Sequence, residues 1–138
     1  MPSSLDLRTN FEGQLRICNL IMTPIDSDVL LTNVHIGETF NVCVVLDLTE
    51  VKRSAGVPLS YAATIRAKKL GEKSRQIAGT RQGIMAPGEK ASCTVEVTLA
   101  SQGIYRLEAI VTLTQADKPL MPQHRLMAMG TSSLLQVY

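Results

Sequence analysis

The residues best placed to do chemistry in this chain are cations. Within residues 51–90, nine lysines and arginines face only two acids. Six of them, Arg66, Lys68, Lys69, Lys73, Arg75 and Arg81, fall close together. The flanking regions do not share this bias. Residues 1–50 hold two arginines against seven acids, and residues 91–138 balance three of each. A clustered basic face attracts nucleic acid, anionic lipid or an acidic protein surface. No tryptophan is present, and no run of aromatics accompanies the cations as a base-stacking platform would require.

Other chemistry is thinly supplied. The two histidines, His35 and His124, sit in turn-like stretches, and neither carries the flanking pattern of a cysteine or serine nucleophile site. Asp26-x-Asp28 offers two hard oxygen ligands, whereas calcium takes six or more, so a solvated turn is the simpler reading. Neither G-x-G-x-x-G nor a G-K-[ST] phosphate loop occurs. Sugar-binding sandwiches use exposed aromatic platforms. Phe40, Tyr61 and Tyr105 are assigned here to the core, which leaves Phe11 and Tyr138 near the termini. These observations predict no catalytic centre, no metal and no cofactor.

The elements that must position the cations are strands. In residues 91–99, Ala91, Cys93, Val95, Val97 and Leu99 alternate with Ser92, Thr94, Glu96 and Thr98, the period-two pattern of a strand with one buried face. After Ser101-Gln102-Gly103, residues Tyr105, Leu107, Ala109, Val111 and Leu113 share a second apolar face, with Ile110 out of phase. Gly103 stands two residues before Tyr105. In immunoglobulin-type sandwiches a tyrosine there bonds back to the corner through its hydroxyl. The stretch from Pro87 to Leu113 therefore resembles strands E and F of an immunoglobulin-like domain, of the disulfide-free bacterial and adhesion type. It departs from antibody domains in having Leu107, not cysteine, two residues after the tyrosine, and no core tryptophan.

The same rhythm runs along the chain. Residues 13–24 read as strand A, with Leu15, Ile17 and Asn19 on one face and Pro24 ending it. Residues 29–34 read as a short continuation. Residues 39–48, the most apolar and β-branched run, read as central strand B, with Cys43 on the opposite parity to Phe40, Val42, Val44 and Leu46. Strand C spans residues 59–69, placing Arg66 and Lys68 opposite in parity to Ile65 and Ala67. A hairpin through Gly71 leads to an edge strand over residues 75–82, where Arg75 and Arg81 flank the cations of strand C. Residues 120–129, with Pro122 inside and Pro119 just before, fit no single element, and residues 132–138 read as strand G. The expected fold is all-β, an immunoglobulin-like antiparallel sandwich of about seven to eight strands.

At 138 residues the chain suits one domain, expected over residues 13–138 behind a loose arm of residues 1–12. Three cysteines without a C-x-x-C pair predict free thiols. If Met1 is the native start, the absence of a secretory leader predicts a cytoplasmic protein. The function read from this sequence is a non-catalytic protein–protein interaction or assembly module, recognising a partner through a sheet face or edge strand. A second copy of the chain is one such partner. The alternative is an anion-binding module using the basic face of strands C and D toward nucleic acid, lipid or an acidic protein.

Overall fold

The computed structural model describes residues 12–52, 58–85, 88–115 and 125–138. Their strands are β1 (Glu12–Gly13), β2 (Arg16–Pro24), β3 (Asn33–Val34), β4 (Thr39–Asp47), β5 (Val51–Lys52), β6 (Leu59–Lys69), β7 (Gln76–Met85), β8 (Lys90–Thr98), β9 (Gly103–Gln115) and β10 (Arg125–Val137). Two sheets stack face to face, ordered β2-β4-β8 and β3-β10-β9-β6-β7, with β1 and β5 paired as a short ribbon. This is an immunoglobulin-like sandwich with seven long strands. Among the described residues no helix is long and apolar enough to cross a membrane.

Alternation builds the core. In the three-stranded sheet, Phe40, Val42 and Val44 stand opposite Val97, Val95 and Cys93. In the other, Ala63 faces Val111 and Ile65 faces Ala109, a large residue meeting a small one in each case. Val44 and Val97 are buried, as their parity predicts. Each such side chain contributes roughly 1.5–3 kcal/mol by leaving water. The corner also forms as expected. Tyr105 donates its hydroxyl to the Ser101 carbonyl at 2.8 Å, and its oxygen lies 2.7 Å from the Ser101 hydroxyl. Gly103 carries φ +151°, a backbone state L side chains rarely adopt, and so lets the chain turn into β9.

The strands β2, β3 and β10 differ from their sequence reading. In β2 the register slips between Ile17 and Asn19. Asn19 is therefore exposed, and Leu20 and Met22 take over the inward face. The short strand expected at residues 29–34 contracts to Asn33–Val34, with Val29 and Leu30 exposed. The last strand begins at Arg125, seven residues earlier than expected. Its bulge between Thr131 and Leu134 is held by Ser132, whose hydroxyl accepts the Leu107 N–H at 3.0 Å and donates to the Ser133 carbonyl at 2.6 Å. The arm expected over residues 1–12 lies outside the described residues apart from Glu12.

Candidate interaction face

The outer face of the five-stranded sheet is read from register, since directly opposed residues share a face. Across β10, β9, β6 and β7, one row is Arg125, Thr114, Ser60 and Ile84. The next is Met127, Thr112, Ala62 and Gln82, followed by Met129, Ile110, Thr64 and Thr80. Then come Thr131, Glu108, Arg66 and Ile77. The flanking strands carry the large apolar side chains: Ile77 and Ile84 on β7 are 70% and 69% exposed, and Met127 and Met129 on β10 are each 59% exposed. Between them the floor is made mostly of small residues, with Ile110 in its third row. A concavity opens there against Ser60, Ala62, Thr112 and Thr114. An outward sheet face is ordinarily polar, so this trough departs from the usual pattern.

One end of the trough is cationic. Arg66 lies opposite Glu108, and its Nη2 reaches Glu108 Oε1 at 3.1 Å. Arg75 Nε reaches the same oxygen at 2.8 Å. The Glu108 side chain is only 12% exposed, and the buried Nε of Arg66 has no hydrogen-bond partner. One row further, Lys68 stands directly opposite Arg106. Like charges in that position repel.

The remaining sequence-predicted cations lie elsewhere. Lys69 follows the inward parity and holds its ammonium 5.6 Å from the centre of the Tyr105 ring. Lys73 is exposed in the turn between β6 and β7. Arg81, expected to flank strand C, is turned away. It pairs with Ala63 and donates Nη1 to the Thr94 carbonyl of β8 at 2.8 Å. The cause is a slip in β7: Ile65 pairs with Gly79, but Arg66 pairs with Ile77. Ala78 is the extra residue, and one extra residue reverses every later side chain. Arg75 and Ile77 thus face outward while Arg81 faces the other sheet. Sequence reasoning missed the trough for the same reason. Ile77 and Ile84 differ in parity, and only the bulge brings them to one face. Met127 and Met129 fall in the stretch that fitted no element.

Titratable groups do not converge elsewhere among the described residues. No cluster of three potential metal ligands is present there. His35 lies against Tyr138, the rings tilted by 52° with centroids 4.3 Å apart, and His124 lies outside the described residues. All three cysteines are unpaired. Burial pushes the Cys93 thiol up to about 11, with Cys43 beside it acting in the same direction.

No protein-family model matches the sequence, and no curated protein is similar to it. Solved structures resemble the chain to differing degrees. The alkylpurine DNA glycosylase AlkC of Pseudomonas fluorescens, bound to DNA containing an abasic site analogue, matches with a TM-score of 0.50 and 15% identity over 98% of this chain and 33% of the glycosylase. The CARDB domain of the PF1109 protein of Pyrococcus furiosus, in complex with di-metal ions, gives 0.43 and 14% identity over 94% of this chain and 90% of that one. A PapD-like domain of human CEP192 gives 0.38 and 12% identity, covering 85% and 87%. The chain therefore spans about a third of the glycosylase. Identities this low speak to fold alone.

Proposed function

We propose that this chain is a non-catalytic protein-interaction module that binds its partner through the outer face of the five-stranded sheet. The observation carrying this reading is the exposure of Ile77, Ile84, Met127 and Met129 around one small-residue floor. Four large apolar side chains gathered exposed on one sheet face favour an interaction surface there. A face is favoured over an edge because β7 and β8 screen each other: Gly79 packs on the Glu96 carbonyl, and Arg81 caps that of Thr94. The basic residues serve the same face. Arg66 and Arg75 share a carboxylate of their own chain, which argues against an independent site for nucleic acid or lipid. The glycosylase's DNA ligand is a property of that protein and adds nothing at this level of likeness.

The test is a double substitution, Ile84→Glu with Met127→Glu. Both side chains are exposed, so stability stays within ~0.5 kcal/mol of the parent. Co-purification of partners from the native cells is lost. Retention of every partner by a folded double variant would refute the proposal.

A further inference from the structure

Resting on that reading, we infer that the occupant of the face is an amphipathic helix of another protein, lying along the trough with carboxylates at its end over Lys68 and Arg106. Three features select a helix. The first is width. The walls, β7 and β10, stand three strand spacings apart, about 14 Å, and a helix with side chains is about 10–12 Å across. The second is length. From Ser60 to Arg66 the floor runs about 20 Å, enough for roughly 13 helical residues. The third is hydrogen bonding. The backbone groups of β6 and β9 are committed to their ladders on both sides. An extended segment laid on this face would bury its own N–H and C=O groups without partners, whereas a helix satisfies them internally.

Charge fixes the chemistry of the helix end. Arg66, Lys68, Arg75 and Arg106 gather around Glu108, the one carboxylate within these two rows. Lys68 and Arg106 repel each other in the free chain and make no ion pair among the described residues. Carboxylates from a partner would relieve that repulsion and complete the set. A second copy fits badly. Stacked with strands running the same way, two copies bring cation onto cation. Stacked the opposite way, they set Lys68 and Arg106 toward the row of Arg125, Thr114 and Ser60, again without counter-ions.

A photo-crosslinking residue at Thr112 in the full chain, expressed in its native cells, tests this. A second site at Gln82 serves if Thr112 does not fold. The adduct is mapped by mass spectrometry. The expected result is a crosslinked segment of another protein that is helical, has an apolar stripe and bears acids at one end. Lys68→Glu with Arg106→Glu then lowers adduct yield on the order of tenfold, and added salt lowers it in the parent. An adduct with an extended segment, with a second copy or with an acid-free helix overturns the inference but leaves the face as the binding surface. No adduct at either site, from folded protein, overturns both.

Discussion

Arg66 and Arg75 reach the same oxygen of Glu108, at 3.1 and 2.8 Å, the first from β6 and the second from the residue just before β7. The two arginines differ in what they would lose. Arg66 is held in the sheet face with its Nε already out of water, whereas Arg75 is 41% exposed and can return to solvent.

Glu108→Gln is therefore expected to destabilise the fold by about 2 kcal/mol, because it leaves a partly buried guanidinium without its counter-ion. Arg75→Ala is expected to cost under ~1 kcal/mol, as for exposed pairs. Urea unfolding of both variants checks the order. Equal effects would mean that the carboxylate serves the two arginines alike.

Tyr105→Phe removes the hydroxyl that donates to the Ser101 carbonyl. A loss of about 1 kcal/mol is expected for one part-buried hydrogen bond. An unchanged unfolding midpoint would reduce Tyr105 to a packed ring and leave the corner to Gly103.

Gly79→Ala places a Cβ 2.5 Å from the Glu96 carbonyl oxygen, a backbone atom that cannot swing aside. The two sheets would have to separate locally, at roughly 1–3 kcal/mol. Gly71→Ala makes a useful comparison, since an added Cβ there meets nothing within 4 Å and only the backbone conformation, φ +92°, is strained. A neutral Gly79→Ala would show that β7 and β8 are less closely apposed than the structure has them.

Cysteine chemistry should follow burial. Under native conditions an alkylating reagent is expected to modify exposed Cys18 first and buried Cys93 last. The Cys93 thiol also has a stability signature. Its folded pKa of about 11 exceeds the ordinary value of 9.0, so the native state holds its proton longer than the unfolded state does. Stability from this group is complete below about pH 9 and declines as pH rises toward about 11. Cys93→Ala should flatten that alkaline decline relative to the parent, measured by denaturation across the window. Identical pH profiles would place the thiol in contact with water.

The strands that build the core were legible because their alternation is unbroken. β4, β8 and β9 each keep one parity from end to end, and the residues predicted inward are the buried ones. The interaction face was not legible because a single-residue slip in β7 builds one of its walls, and such slips recur along the chain. Cys18 interrupts β2, Ala78 interrupts β7, and Ser132 with Ser133 interrupts β10. A bulge has no composition of its own. Arg75 and Arg81 share parity in the sequence, and nothing local reveals that the chain gains a residue between them. Ile110 shows the converse. Its departure from the apolar face of β9 looked like noise, and it marks the floor of the trough.

The sheet topology also sets an order in time. Phe40 pairs with Val97, 57 positions further on (97 − 40), and β4 meets β8 only after β5, β6 and β7 have intervened. The five-stranded sheet, by contrast, contains the β6–β7 hairpin, closed through the short turn at Gly71, and joins β9 to β10 directly in sequence. Loops that close locally form in microseconds, whereas distant strand pairs delay all-β domains to milliseconds or seconds. The two local pairs, β6–β7 and β9–β10, are thus expected to acquire protected amides before β6 meets β9 or β4 meets β8, which pulse-labelled hydrogen exchange during refolding would register as early protection confined to the β6–β7 and β9–β10 seams. During that interval the trough is split along its floor, since the Ile wall rides with β6 and the Met wall with β9, and a partner segment has no complete seat until those two halves join.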